Sequence, residues 1–127
     1  MTEQAPACRF CAGIHQRVPF GDPASLEAWR RIMAINADGP FHMIDAFLDQ
    51  LRETKGTIVN VASTRALTAS EAAPAYTASK GAVAALTKAL AVDLAPDGIR
   101  AKDGKRLTVK LWAQNGTEFK RLAEVIQ

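Results

Sequence analysis

Tyr76 and Lys80 are the residues whose types and spacing most directly suggest chemistry. They stand four positions apart in a stretch with helical periodicity, so both side chains lie on one helix face, about one turn apart. A cation beside a phenol favours the ionised phenol, and such a tyrosine can act as a general acid or base near neutral pH. An exposed helical pair would show the same spacing, so the surrounding residues must decide between the two interpretations.

Two further polar residues stand at positions that suit a catalytic site. Ser63 follows the β-branched run 57–62, and ligands bind outside the carboxyl ends of strands in open α/β sheets. A serine hydroxyl there can bond a substrate carbonyl, although turn serines are common. Asn36 lies inside a predicted helix, four residues before Pro40. Because proline has no N–H, the Asn36 carbonyl loses its helical partner, which predicts a bound water at this point or merely a kinked helix.

The hydrophobic pattern predicts the elements that would position these residues. Residues 1–21 contain several glycine and proline breakers and are predicted to be irregular. A long helix is expected over about 23–52, capped by Asp22 and interrupted at Gly39-Pro40. The remaining expectations are a buried strand over 57–62, a loop over 63–75, a helix over about 76–95, a strand over 107–112 and a helix over 117–127.

Three motifs at these positions together resemble the short-chain dehydrogenases/reductases. They are Ile35-Asn36-x-x-Gly39, the run Gly56-Thr57-Ile58-Val59-Asn60-Val61-Ala62-Ser63, and Tyr76-Thr77-Ala78-Ser79-Lys80. The separations of 27 residues from Asn36 to Ser63 and 13 from Ser63 to Tyr76 agree with that family. The resemblance covers about residues 11–101 and includes the helix that follows Lys80.

The resemblance implies a role for each matched residue. Tyr76 would exchange a proton with the substrate while hydride moves to or from a nicotinamide, and Lys80 would hold the nicotinamide ribose and favour ionised Tyr76. Ser63 would polarise the substrate carbonyl, and Asn36 would keep a water in a proton relay to Lys80. Ala12 and Gly13 match the end of a family strand that borders the cofactor, so NAD or NADP is implied as the cofactor.

The chain departs from the family at both ends. No part of it matches the motif Thr-Gly-x-x-x-Gly-x-Gly that holds the dinucleotide pyrophosphate at a helix N-terminus. Phe10 and Cys11 occupy two asparagine positions of the family, which predicts that residues 1–10 are foreign to it. Residues 102–127 are similar instead to a strand–helix segment of periplasmic oligopeptide-binding proteins. The expected organisation is a catalytic segment over 1–101 and an appended strand–helix, packed as one compact unit.

Composition excludes several other classes of protein. No apolar run is long enough to span a membrane, and the N-terminus shows no secretion signal, so a cytoplasmic location is expected. The net charge of +3 arises within residues 102–127, without the motifs of a nucleic-acid-binding protein. Cys8 and Cys11, with His15, leave a metal-binding module as an alternative, although a structural zinc ion needs four ligands.

The sequence therefore predicts an α/β fold: a truncated Rossmann-like piece with two long helices, one buried strand and a C-terminal strand–helix. A rearranged packing and stabilisation by oligomerisation both remain open. The favoured functional hypothesis is a fragment or chimaera that carries the Asn-Ser-Tyr-Lys set, is catalytically silent, and forms a homo-oligomer through its long helices. The alternative is a working NAD(P)-dependent oxidoreductase for an alcohol or carbonyl substrate.

Overall fold

The computed structural model describes residues 7–99 and 110–112, which form a parallel sheet with helices packed on it. The strands are β1 (Ala7–Phe10), β2 (Thr57–Ser63) and β3 (Lys110–Trp112), in the sheet order β1-β2-β3. The helices are α1 (Ser25–Met33), a π-helical segment (Ala34–Asp38), α2 (Gly39–Ala46), α3 (Leu48–Thr54), a 3-10 turn (Thr64–Ala66) and α4 (Pro74–Asp93). The predicted α/β, Rossmann-like class is confirmed.

The apolar core joins the central strand to the helices on either side of it in the chain. Its buried side chains come from α2, α3, β2 and the turn after α4: Ile44, Leu51, Ile58, Leu94 and Ile99. Phe10, at the end of β1, packs against the same cluster. Helix α4 also packs against α1, the π-helical segment and β2, so its position relative to the sheet is determined from three sides.

The prediction that residues 1–21 are irregular was wrong for Ala7–Phe10. These residues pair in parallel with Thr57–Asn60, so the described sheet holds three strands and not the two that the sequence predicted. The pairing partners lie 50 positions away in the chain, and four residues beside breakers give no local periodicity. The prediction that residues 1–10 are foreign to the family is a separate matter and stays a prediction.

The interruption predicted at Gly39-Pro40 takes the form of a π-helical segment that ends at Asp38, directly before α2. The backbone remains helical through Gly39, because the N–H of Gly39 bonds to the carbonyl of Ala34 in the wider π-helical pattern. Pro40 then falls in the first turn of α2, where a missing N–H costs little. A second interruption comes at Phe47, and the first helix begins at Ser25 and not at residue 23.

The other predicted elements agree more closely with the structure. Strand 57–62 is confirmed and extends to Ser63, and the helix predicted over 76–95 runs from Pro74 to Asp93. The strand predicted over 107–112 is described at Lys110–Trp112, where it pairs in parallel with Val61–Ser63. The helix predicted over 117–127 lies outside the described residues. Within the described ranges, no helix is long and apolar enough to cross a membrane.

Candidate active site

The predicted site residues gather around the carboxyl edge of the sheet. Strand β1 ends at Phe10 and the parallel strand β2 ends at Ser63, so the segments that follow them leave the sheet at the same edge. Helix α4 lies against β2 and brings Tyr76 and Lys80 toward that edge. This edge is where open α/β sheets bind their ligands.

Lys80 is held in place by the strand on which α4 packs. Its side chain is only 5% exposed, and Nζ donates a hydrogen bond to the carbonyl of Val61 at 3.0 Å. Nζ also lies 5.9 Å from the centroid of the Tyr76 ring, as the four-residue spacing predicts. Burial lowers the pKa of the Lys80 ammonium, and a Coulombic interaction with Cys11 acts in the opposite direction.

Asn36 connects the π-helical segment to two other parts of the site. Its Oδ1 accepts a hydrogen bond from the N–H of Ile14 at 2.8 Å, and its Nδ2 donates to the carbonyl of Ile14 at 2.9 Å. Nδ2 also donates to Oγ of Ser79 at 3.0 Å, and Ser79 donates in turn to the carbonyl of Tyr76 at 2.8 Å. Asn36 is 1% exposed, so these bonds replace water entirely at this side chain. The role of its backbone carbonyl in holding a water stays a prediction.

Gly13 is the point at which the segment after β1 comes closest to this network. A Cβ atom at Gly13 would lie 3.3 Å from Oδ1 of Asn36 and 3.3 Å from Nζ of Lys80. A side chain at Gly13 would displace those polar atoms by a few tenths of an ångström. Gly13 therefore borders the same site as Lys80, while a role for Ala12 beside the cofactor stays a prediction.

Ser63 caps the 3-10 turn that follows β2. Its Oγ accepts a hydrogen bond from the N–H of Arg65 at 3.2 Å, and the residue is buried. This geometry matches the interpretation of Ser63 as a turn serine, but it uses the oxygen only as an acceptor. The hydroxyl hydrogen remains able to donate to a substrate carbonyl, because a serine can accept and donate at once.

His15 makes a contact with Tyr76 that the sequence did not predict. The two rings meet edge to face, with centroids 4.6 Å apart and planes at 83°. The residues are 61 positions apart, so no local spacing could signal their contact. The sequence suggests His15 only as a metal ligand beside Cys8 and Cys11.

The metal alternative gains no support within residues 7–99 and 110–112, where no group of three or more His, Cys, Asp or Glu side chains could hold a metal ion. Cys11 is a free, exposed thiol. The side chain of Cys8 lies outside the described part of the chain, so the metal-binding alternative through Cys8, Cys11 and His15 stays a prediction.

The parallel sheet with Tyr76 and Lys80 at its carboxyl edge is a Rossmann-like α/β arrangement, and comparison with known proteins identifies the family. The family model described as short chain dehydrogenase matches residues 10–103. The chain therefore belongs to the short-chain dehydrogenase family, as its motifs predicted.

Several dehydrogenases are similar to this segment. Cyclopentanol dehydrogenase of Comamonas testosteroni is 47% identical over 90 residues, which cover 70% of this chain and 36% of that enzyme. A solved structure of 4-hydroxyisoleucine dehydrogenase with NADH matches 76% of this chain and 44% of its own, at a TM-score of 0.69 and 31% identity.

A gluconate 5-dehydrogenase from Burkholderia cenocepacia, solved with NADP and tartrate, matches 79% of this chain and 39% of its own, at a TM-score of 0.71 and 32% identity. The chain thus spans about two fifths of the length of the proteins it matches. The resemblance of residues 102–127 to periplasmic oligopeptide-binding proteins stays a prediction, since these residues lie almost wholly beyond the matched and the described parts.

Proposed function

We propose that this chain carries the proton-transfer half of an NAD(P)-dependent oxidoreductase that interconverts an alcohol and a carbonyl, and that by itself it is catalytically silent. The observation that supports the first part is the buried network in which Asn36 holds both Ile14 and Ser79 beside Tyr76 and Lys80. Such a network keeps side chains in one arrangement, which is what general acid–base catalysis needs.

In this proposal each residue acts at a stated atom. Tyr76 Oη gives a proton to the carbonyl oxygen during reduction, or takes it from the alcohol during oxidation. The Ser63 hydroxyl donates a hydrogen bond to the same substrate oxygen. Lys80 Nζ, already bonded to the Val61 carbonyl, uses its remaining N–H groups to hold a ribose hydroxyl and to favour ionised Tyr76. Asn36 keeps a water on its backbone carbonyl that returns protons toward Lys80.

The residues present fit one end of a nicotinamide dinucleotide better than the other. Lys80 Nζ is bonded to the Val61 carbonyl and carries further N–H groups, and Gly13 places only backbone close to it, so a ribose–nicotinamide end could lie there. When bound, the nicotinamide would supply or accept the hydride. The sequence contains no glycine-rich turn for the pyrophosphate, whose contacts provide much of the orientation and affinity, so we expect only weak binding of NAD or NADP.

A thermal-shift titration of the purified chain tests whether it is silent. With a Kd above the dinucleotide concentration, binding would raise the free energy of unfolding by less than about 0.4 kcal/mol, which is difficult to detect. We therefore expect no resolved shift with millimolar NAD(H) or NADP(H), and no oxidation of alcohols. A clear shift that is altered in Tyr76→Phe would overturn this part and favour a working dehydrogenase.

A transplant tests the proton-transfer half independently of the missing contacts. The 90-residue segment of cyclopentanol dehydrogenase that matches this chain would be replaced by the corresponding residues of this chain. We expect the hybrid to oxidise alcohols and its Tyr76→Phe variant to lose about 100-fold to 10,000-fold in rate. Lys88→Gln, an exposed change on the same helix, is the matched control. A folded hybrid that binds NAD but is inactive would contradict the proposal.

We further propose that the chain forms a homo-oligomer through its long helices. Large apolar side chains are exposed along the first helical stretch and on α4: Leu26, Trp29, Ile35, Phe41, Met43, Phe47 and Val92. The small exposed residues Ala85 and Ala89 on α4 permit close helix approach. We expect light scattering to give more than one chain per particle, and Ala85→Glu with Ala89→Glu to give a monomer. A monomeric wild type would contradict this proposal.

The cytoplasmic location of the chain stays a prediction.

A further inference from the structure

His15 lies at the candidate active site without a part in the mechanism proposed above. Its ring meets the Tyr76 ring edge to face at 4.6 Å, yet the residue itself is exposed. An imidazole can carry a positive charge or none. The contact therefore places a titratable ring directly against the tyrosine that would transfer the proton.

The position of His15 is set by the residue before it. Both the N–H and the carbonyl of Ile14 are bonded to the Asn36 side chain, at 2.8 and 2.9 Å. The same asparagine also donates to the Ser79 hydroxyl, which donates in turn to the Tyr76 carbonyl. Asn36 thus orients Tyr76 by two routes: Ser79 holds its backbone, and His15 contacts its ring.

We propose that His15 is a positioning residue that contacts the Tyr76 ring and makes the surroundings of that ring depend on the charge of the imidazole. The meaning of this coupling for catalysis rests on the proposed function of Tyr76, but the coupling itself rests on the ring contact alone. Protonation of the imidazole introduces a positive charge next to the electron-rich phenol ring. The electrostatic environment of Tyr76 then has two forms, one for each charge state of His15.

Two other titratable groups must be separated from this effect. Lys80 Nζ lies 5.9 Å from the Tyr76 ring centroid on the same helix, and the Cys11 thiol, on the segment after β1, interacts with Lys80. Histidine is the side chain that ordinarily changes its charge between pH 5 and 8. A perturbed thiol can titrate there as well, so Cys11 requires its own control.

The composition of the chain permits a direct experiment. Tyr76 is its only tyrosine, and His15 and His42 are its only histidines. In protein labelled with 13C in the tyrosine ring, one set of signals reports Tyr76 and can be followed by NMR from pH 5 to 8. We expect an inflection in the Tyr76 signals at the same pH as the titration of the His15 imidazole. We expect its complete loss in His15→Gln.

The chain also offers a matched histidine control. His42 is exposed and meets the ring of its neighbour Phe41 edge to face at 5.7 Å, so it resembles His15 without contacting Tyr76. His42→Gln and Cys11→Ser should leave the Tyr76 inflection unchanged. His15→Phe should keep the ring contact, and thus ordered Tyr76 signals, while it removes the inflection.

A wild type with no inflection would overturn the proposal, as would an inflection that survives in His15→Gln or disappears in Cys11→Ser. If His15→Gln fails to fold, His15→Phe provides the same comparison with the ring retained. In the active hybrid described above, His15→Phe should change the pH profile of kcat while the KM for NAD stays unchanged. The NMR result needs neither cofactor nor turnover, so an inactive hybrid with an intact inflection would refute the proposed function and leave this coupling standing.

Discussion

Asn36 and Asn60 are both fully buried, but their surroundings differ. Asn36 uses both ends of its amide, accepting from the N–H of Ile14 and donating to Ile14 and Ser79. Asn60 lies on β2 and donates to Oγ1 of Thr87 at 2.9 Å. Its Oδ1 atom is buried with no hydrogen-bond partner among the described residues.

This difference separates a side chain that assembles a site from one that only fills a position in the core. Asn36 ties the segment after β1 to the π-helical segment and to α4, three parts that do not adjoin in the chain. Asn60 ties β2 to α4 only, and its unpaired oxygen carries a desolvation cost of about 1–3 kcal/mol. We therefore expect the two buried amides to contribute unequally to the free energy of unfolding, which substitutions can measure.

The largest effect is expected for Asn36→Ala. The change removes three hydrogen bonds and leaves polar atoms of Ile14 and Ser79 unpaired, which should lower the free energy of unfolding by about 3 kcal/mol. Urea denaturation followed by circular dichroism measures this. Asn36→Asp, which keeps the acceptor but loses both donors, should be nearly as destabilising. A loss of unfolding free energy smaller than that caused by Asn60→Leu would contradict this prediction.

A smaller loss is expected for Ser79→Ala. This residue accepts from Asn36 and donates to the Tyr76 carbonyl, so about 1–2 kcal/mol of unfolding free energy should be lost. Because it carries one of the two routes from Asn36 to Tyr76, its effect and that of Asn36→Ala should not add. A double-mutant cycle with additive effects would show that the two residues act independently.

Asn60→Leu should change stability by no more than about 1 kcal/mol in either direction, since the apolar side chain removes the unpaired oxygen as well as one hydrogen bond. Thr87 keeps its own bond to the Val83 carbonyl, and Thr87→Val is the matched partner change. Thermal denaturation of both single variants and of the double variant measures these changes in stability. A loss as large as that of Asn36→Ala would mean that Asn60 also organises the fold.

The smallest effect at neutral pH is expected from the titration of Lys80. Burial lowers its pKa in the folded chain below the usual value of 10.5, so the unfolded chain binds the proton more tightly. Stability should therefore rise with pH between the folded pKa and about 10.5. Comparison of the wild type with Lys80→Met over the alkaline range isolates this slope. An unchanged difference between them across that range would show that burial does not affect the amine.

The local sequence was sufficient for the elements with strong periodicity. The apolar β-branched run predicted β2, and the alanine-rich stretch predicted α4 with Tyr76 and Lys80 on one face. Local rules were insufficient where distant partners decide the conformation. Strand β1 exists through its pairing with residues 57–60, and the π-helical turn allowed the helix to continue through Pro40.

By itself, the sequence determined the family of this chain and which residues could transfer a proton, because chemistry and helical spacing are local properties. It could not determine how those residues are held. The contacts that hold them join residues far apart in the chain. Asn36 bonds to Ile14 and Ser79, Lys80 bonds to the carbonyl of Val61 on β2, and His15 contacts Tyr76. Only the packing of α4 and the segment after β1 against the same strand brings these partners within hydrogen-bonding and ring-contact distance.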